Sequence, residues 1–540
     1  MKFFFTKYSL STPFIFIGIN LLIFLHKPLS IGPDRAIHDP SVNRIIDSSY
    51  LLNDWIVNSN FNSGVHFFYG KWISFYNSLG LDRHLWEDLT FILFLQFLIF
   101  SFISISKVFN QNFSFVFLLF LLHSLAFIAI PPQFGYGPYF PIDSGLSPRS
   151  LSVPLTFLAI SMLFVKRYYM VALFAGLATL FHPSNGILTF ILTFSAYILL
   201  NIFYRLELNF YKLKEISGFI LVYLFSGGFF ALYIALNGLG PPEMAIEKFT
   251  WSWIYLRAPY LDFLSQGFRT YLTWLGHLLI YAFFLYKFCK DKKKSKGELI
   301  LLLIGGLSIL FFLLFYFSFY FYSSKILFSL YSFRLIYLFF FSVHAMVAIW
   351  LISKFIELTL QFLNSKSKII SFIPSSIVTI FFLSICLYIS DIKNLQSSIS
   401  KFGKDKILLE STLDYILFNT QEPVLMHPKL IYSTDYYIPS FVSFKTFGYT
   451  EKSMKEWLHR LNLLCNNSIN DQYQAQLNKQ KFSIPNIDWK KCFDPMLKEE
   501  VLKISQEYDI KYLLVRNEDQ RFEDLEIASK NNNLKLLIIK

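Results

Sequence analysis

The sequence predicts a polytopic α-helical membrane protein that carries a small C-terminal α/β domain. Of its 540 residues, 54% are hydrophobic and only 16% are charged. Much of the apolar sequence falls in runs of about 20 residues, the length that an α-helix needs to cross a bilayer. After Asp391 these runs stop, and short helix and strand patterns alternate. We therefore expect a transmembrane domain over residues 1–390 and a soluble domain over residues 391–540.

The basic net charge indicates membrane topology rather than nucleic-acid binding. The formal charge is +13, but the lysines and arginines lie in short loops between apolar runs. Such loops are typical of the cytoplasmic side of a membrane protein. We therefore expect the lipid bilayer, and no nucleic acid, as a partner.

Hydropathy predicts about eleven transmembrane helices. The first apolar run follows two lysines and lacks a small-residue cleavage site, so we expect a retained span rather than a signal peptide. The segment Tyr168–Phe181 is shorter than a full span, and we expect its His-Pro end to stop in a protein-lined recess. The predicted spans are residues 10–26, 88–106, 112–130, 149–165, 168–181, 186–204, 216–236, 270–288, 298–322, 327–352 and 369–390.

The distribution of lysine and arginine predicts the orientation. Every second loop is basic, which assigns those loops and the N-terminus to the cytoplasm. An odd number of spans then places the C-terminal domain outside. The long first loop, residues 27–87, faces the same side, as do the turn at His182 and the loop over residues 237–269.

Aspartates of the first loop are candidate catalytic or metal-binding residues. Asp34 and Asp39 follow the first span closely, and carboxylates there can bind Mg²⁺ or Mn²⁺ or act as a general base. The alternative is that Asp39 and Asp47 cap helices. Asp54 is a candidate substrate-binding residue, although Asn-Asp-Trp also fits an interfacial turn.

A second group of candidates flanks a predicted helix pair. Two crossings separate Arg149 from His182, so we expect both, with Asp143 and Asn185, at one end of the pair. Arg149 opens a helix, where arginine either snorkels or binds phosphate. His182 is a candidate catalytic residue, with helix capping as the alternative.

Arg334 lies about seven residues inside an apolar run. An arginine at membrane depth is costly and usually faces a cavity or a counter-charge. We therefore expect Arg334 to line the same outward cavity as His182 and to bind an anionic headgroup.

Patterns in the C-terminal region predict a mixed sheet and helices. Cys465 and Cys492 lie outside the membrane in the predicted topology, where a disulfide between them is permitted. Lys445, Trp457 and Arg460 are possible glycan contacts, with ordinary fold surface as the alternative. The predicted strands are residues 423–427, 441–447, 512–515 and 534–539, and the predicted helices are residues 408–418, 451–464, 497–508 and 523–529.

Four stretches of the chain resemble a family of bacterial multi-span membrane proteins of unknown function. They are IIDSSYLLNDW, LSPRSLSVPL, LATLFHPSNG and FVSFKTFGYTEKSMKEWLHRL. The arrangement of an acidic first loop, about eleven spans and an external C-terminal domain also looks like the GT-C superfamily, whose members transfer sugars from polyprenyl-phosphate donors. The resemblance implies that Asp34 or Asp39 matches the catalytic aspartate and Arg149 or Arg334 the lipid-phosphate ligand. GT-C enzymes often carry an Asp-Glu or Glu-x-Asp pair after the first span, whereas this chain has Asp34-Arg35.

Two hypotheses about function follow from these patterns. The first is a glycosyltransferase that moves a sugar from a polyprenyl-phosphate donor to an envelope glycan, lipid or protein acceptor. The second is a non-catalytic membrane transporter or assembly protein for lipid-linked envelope glycans. Transport needs polar groups along a continuous path, and the cytoplasmic halves of the spans are almost wholly Phe, Leu and Ile, which favours the first hypothesis.

Overall fold

The architecture is mostly helical, with a small sheet near the C-terminus. The computed structural model describes residues 35–52, 54–109, 146–204, 210–238, 245–252, 268–291, 295–320, 332–363, 423–426, 441–442, 451–478, 492–530 and 534–539.

Three short helices form the described part of the first loop. A left-handed glycine, Gly64, ends α2, which places His66 immediately before α3. Asp82 caps the helix that follows by accepting a hydrogen bond from the backbone N–H of Leu85. The three helices are α1 Arg35–Ile46, α2 Trp55–Ser63 and α3 Phe67–Leu79.

The membrane domain is built from long apolar helices. Six segments of the described chain are long and apolar enough to cross a bilayer, and two further apolar helices are shorter. The helices are α4 Arg83–Val108, α5 Pro148–Phe164, α6 Tyr168–Phe181, α7 Pro183–Phe203, α8 Phe210–Tyr223, α9 Phe229–Gly238, α10 Ile246–Trp251, α11 Phe268–Lys290, α12 Lys296–Tyr320 and α13 Ile336–Leu363.

Eight of the predicted spans coincide with helices or continuous helical segments of the structure. The bounds of α6 match the predicted 168–181 residue for residue. The predicted span 216–236 is α8 and α9 joined by a π-helical turn, Leu224–Gly228. Three predicted spans, 10–26, 112–130 and 369–390, lie outside the described residues, so the total of about eleven is not confirmed.

Helix α5 is the buried centre of the membrane domain. Nearly all of its side chains are buried, and it packs against α4, α6 and α7. Polar contacts join it to α7, since the hydroxyls of Thr156 and Thr189 lie 2.9 Å apart. The amide nitrogen of Asn185 donates to the Ser152 hydroxyl at 2.7 Å. These contacts fix the starts of α5 and α7 at the same end of the bundle.

The C-terminal region contains a four-stranded sheet in the order β1-β2-β4-β3. Strand β2 pairs parallel to β1 and antiparallel to β4, and β3 pairs antiparallel to β4. The strands are β1 Val424–Met426, β2 Tyr512–Arg516, β3 Glu526–Lys530 and β4 Leu534–Ile538, and the helices are α14 Glu451–Leu464, α15 Ser468–Asn478 and α16 Lys498–Glu507.

The sequence predictions for this region are mostly met. The disulfide between Cys465 and Cys492 is present, and α14 has the predicted bounds. The predicted helix over 523–529 is wrong, because Glu526–Lys530 is an edge strand with a bulge. Its side chains are mostly exposed, so the two-residue alternation of a half-buried strand is missing from the sequence. The predicted helix 408–418 and residues 443–447 of the predicted strand 441–447 lie outside the described residues, and the two described residues, 441 and 442, are not in a strand.

The C-terminal domain contacts two membrane-domain segments that were predicted to share its side of the bilayer. The indole N–H of Trp55 in α2 donates to the carbonyl of Phe441 at 3.0 Å. The indole N–H of Trp251 in α10 donates to the side-chain oxygen of Gln476 at 2.6 Å. These two segments and the C-terminal domain therefore lie at one end of the helices.

Candidate functional site

Five side chains that carry or can gain positive charge meet at one end of the membrane domain. We call them the polar cluster. They come from α1, the start of α3, the start of α5, the α6–α7 turn and the turn before α13: His38, His66, Arg149, His182 and Arg334.

The local sequence fixes His182 between two helices. Residue 182 is extended (φ −144°, ψ 93°), and Pro183 opens α7, a position where the missing proline N–H costs nothing. The Nδ1 of His182 lies 3.2 Å from the Ser184 hydroxyl and 3.4 Å from the backbone nitrogen of Asn185. His182 is therefore both a helix cap and a member of the polar cluster. Helix capping does not exclude the catalytic role that the sequence suggests for this residue.

Arg334 contacts His182 directly. Its Nη1 lies 2.8 Å from the Nε2 of His182. Because a guanidinium only donates hydrogen bonds, the Nε2 of His182 accepts from Arg334 and carries no hydrogen in this contact. The sequence placed Arg334 about seven residues inside a span, but it lies in a 3₁₀ turn, Ser332–Leu335, directly before α13.

Arg149 lies at the same end of the membrane domain, where the start of α5 positions it. Ser147 and Ser150 form a reciprocal capping box that starts α5. Arg149 is the second residue of α5, between these two serines, and is half-buried; its charge acts on His182. The structure therefore brings Arg149, His182 and Arg334 together.

Two histidines that the sequence analysis did not single out complete the cluster. The ring of His66 stands edge-on to His38, with centroids 4.6 Å apart, and lies 6.3 Å from the ring of His182. Isolated histidines in a loop carry no periodic signal. Only the packing of α1 and α3 against the α6–α7 turn reveals them.

Asp39 lies beside the cluster but is held by an ion pair. The Nη2 of Arg83 lies 2.6 Å from the Asp39 carboxylate, and the Nε of Arg83 lies 2.9 Å from Glu87. Burial opposes the charge of Arg83, but the two carboxylates raise its pKa overall. Asp39 lies inside α1 rather than at its start, so the alternative of a helix cap is wrong.

The other acidic candidates have separate positions. Asp54 is fully buried and caps α2 by accepting from the backbone N–H of Val57 at 2.9 Å. Asp47 follows α1 and accepts from the backbone N–H and hydroxyl of Ser49, which lower its pKa. Asp34 and Asp143 lie outside the described residues.

Asn185 and the glycan-contact candidates of the C-terminal domain are engaged in packing. The Asn185 amide bridges α7 to α5, as described above. Trp457 is fully buried in the domain core, so the expected glycan contact through its ring is wrong. Arg460 packs against Trp55 of the first loop. Lys445 lies outside the described residues.

Divalent cations such as Mg²⁺ and Mn²⁺ bind to clustered oxygen ligands, chiefly carboxylates. Within the ranges given above, no group of three or more His, Cys, Asp or Glu side chains is arranged to hold a metal ion. The carboxylate of Asp39 is already bonded to Arg83. The described residues therefore do not offer a set of three such ligands for Mg²⁺ or Mn²⁺.

The polar cluster is suited to an anion of the phosphate type. Two arginines supply permanent positive charge and a planar donor geometry that matches phosphate oxygens. Neutral imidazoles beside them can donate a hydrogen bond or accept a proton. Comparison of the sequence with protein-family profiles and with curated proteins gives no match.

Proposed function

We propose that the protein is a GT-C-like membrane glycosyltransferase that moves a sugar from a polyprenyl-phosphate donor to an envelope glycan, lipid or protein acceptor. The observation that best supports the proposal is the contact of Arg334 with His182, 2.8 Å apart, at the end of a bundle of apolar helices. A polyprenyl phosphate has a phosphate that the charged side chains can bind and an apolar tail that can lie against the helices.

The phosphate of the donor would bind on the guanidinium of Arg334, with Arg149 contributing a second positive charge. A hydrogen bond between charged partners contributes about 1.5–3 kcal/mol. The polyprenyl tail would lie against the apolar helices, since several carry large exposed hydrophobic side chains such as Phe225 and Phe283. The protein supplies charge where the leaving phosphate gains it, which is the usual largest contribution to catalysis of this kind.

The C-terminal domain and the first loop would present the acceptor. The hydrogen bond from Trp55 to Phe441 supports a shared surface beside the polar cluster, because α1 and α2 follow one another in the chain. In the proposed topology this surface faces the outside of a bacterial plasma membrane. Labelling of single introduced cysteines tests the topology. Labelling of residue 39 and the C-terminal domain from opposite faces would contradict it.

Sugar transfer from radiolabelled polyprenyl-phosphate hexoses tests the activity. Purified full-length protein is incubated with a panel of these donors and an envelope extract, and loss of label from the lipid phase is followed. Arg334→Ala should lower kcat/KM about 10- to 150-fold, from the 1.5–3 kcal/mol of a charge-assisted hydrogen bond. Arg167→Ala is the matched control, because Arg167 is exposed in the turn at the opposite end of α6. Equal turnover in wild type and both variants would remove Arg334 from the mechanism.

Two further experiments test the role of Asp39 and the need for a metal. Asp39→Asn distinguishes a catalytic carboxylate, which would stop turnover, from a carboxylate that only holds Arg83, which would lower thermal stability and leave turnover per folded molecule unchanged. Chelation with EDTA tests the requirement for Mg²⁺ or Mn²⁺. A protein that binds polyprenyl phosphate but turns over no donor would support the transporter or assembly protein instead.

A further inference from the structure

His66 occupies the interior of the polar cluster. It directly precedes α3, and its ring lies between His38 of α1 and His182 of the α6–α7 turn. A hydrogen bond also links the His66 ring to the backbone of Phe181. This ring therefore connects the first loop to the end of the helix pair.

The hydrogen bond to Phe181 indicates where the His66 proton lies. A backbone carbonyl only accepts, so the ring nitrogen that faces it carries the hydrogen. In a neutral imidazole the second nitrogen then holds a lone pair and can accept a proton. Burial lowers the pKa of His66 well below its usual value, and the neighbouring His38, His182 and Arg334 lower it further.

The groups that face His66 come from every element packed around it. They are His38 from α1, His182 from the α6–α7 turn and Arg334 from the turn before α13. Arg149 of α5 adds its charge through its proximity to His182. Among the described residues, the groups that act on His66 are cationic or neutral, so their field opposes a proton on its ring. A phosphate dianion on Arg334 would reverse the sign of that field.

We propose that His66 takes up a proton when a phosphate monoester is held on Arg334. The inference rests on the proposed function. In the sugar transfer, His66 is then the group that takes the proton of the acceptor hydroxyl. As the acceptor oxygen bonds to the anomeric carbon, the bond from that carbon to the phosphate oxygen breaks. The hydroxyl proton passes to the lone pair of His66, and the phosphate changes from a monoanionic diester to a dianionic monoester.

His182 is less suited to this role. Its Nε2 already accepts from Arg334, and its Nδ1 faces the first turn of α7. A proton added at Nε2 would break the contact with Arg334. His66 can gain a proton without losing the hydrogen bond that it donates.

Calorimetric titration of polyprenyl phosphate into the purified full-length protein tests the inference. Measurements at about pH 8, where the free phosphate monoester is already a dianion, in two buffers with different ionisation heats give the number of protons taken up by the protein on binding. The wild type should take up about one proton more than His66→Gln, by linkage between ligand binding and protonation. His459→Gln is the matched control, because His459 is exposed on α14. It should behave like the wild type.

The outcomes distinguish this inference from the proposed function. Equal proton uptake by wild type and His66→Gln overturns it, whether or not sugar is transferred. Zero uptake by the wild type overturns it without any variant, which covers the case of a His66→Gln protein that fails to fold. The absence of polyprenyl phosphate binding at any pH overturns it as well. Proton uptake through His66 without turnover of any donor supports the inference while it counts against the transferase.

Discussion

The contact between the C-terminal domain and the first loop depends on one arginine. The guanidinium of Arg460 lies 4.7 Å from the ring centre of Trp55, 4.8 Å from that of Phe441 and 4.7 Å from that of Tyr508. Its Nη1 also donates to the Phe441 carbonyl at 3.1 Å, and its Nε donates to Glu456. We predict that removal of this guanidinium weakens the contact between the two domains.

The magnitude follows from the burial of the arginine. Its side chain is only 13% exposed, and a cation over an aromatic ring contributes about 0.5–1 kcal/mol at the surface and about 2 kcal/mol when desolvated. The coupling between Arg460 and Trp55 alone should therefore be about 1–2 kcal/mol. Arg460→Met, which keeps the aliphatic stem, should destabilise the protein by about 3 kcal/mol, because it also loses the hydrogen bond to Phe441.

A double-mutant cycle measures the coupling directly. Arg460→Met, Trp55→Leu and the double variant are unfolded with denaturant in detergent, and the free energies of unfolding are compared. Arg516→Met is the matched control, because Arg516 is 67% exposed in the same domain. Its effect should stay within about 0.5 kcal/mol. Strictly additive effects of the Arg460 and Trp55 substitutions would refute the contact as the energetic link between the domains.

The disulfide and a close helix contact give two further predictions. Replacing Cys465 and Cys492 by serine, or reducing them, should cost about 3.5 kcal/mol from the 27-residue separation. An unchanged melting temperature in dithiothreitol would contradict this. Gly227→Ala should destabilise the protein by about 3 kcal/mol, since a Cβ would lie 2.0 Å from the Gly176 carbonyl oxygen. The control Gly276→Ala, which meets no described atom within 4 Å, should be neutral or stabilising in the same thermal assay.

Much of the helical architecture could be predicted because its signals are local. The bounds of α6 are marked by Arg167 at one end and by His182-Pro183 at the other, with only apolar or small residues between them. Helix α14 combines a strong apolar periodicity with a charged face. The edge strand Glu526–Lys530 could not be recognised, because an exposed strand lacks the alternation that burial of one face imposes.

The site was only partly predictable, because its residues meet through tertiary packing. His182 and Arg334 were expected at the same end, since helix connectivity and apolar run lengths determine which helix ends coincide. The ion pair of Asp39 with Arg83 joins residues 44 positions apart, and no sequence pattern marks such a pair. No sequence pattern marks His38 or His66 either, so the sequence predicted only part of the polar cluster.

The electrostatics of the polar cluster favour a functional origin over a structural one. The hydroxyls of Thr156 and Thr189, which join α5 to α7, bond to neutral partners. Arg334 instead lies against the imidazole of His182, and Arg149 acts on the same ring, an arrangement that disfavours protonation of His182. Groups held in such unfavourable fields are characteristic of sites whose complement is a ligand. A phosphate anion is the complement that would offset the positive charge of Arg149 and Arg334 and favour protonation of the imidazoles beside them.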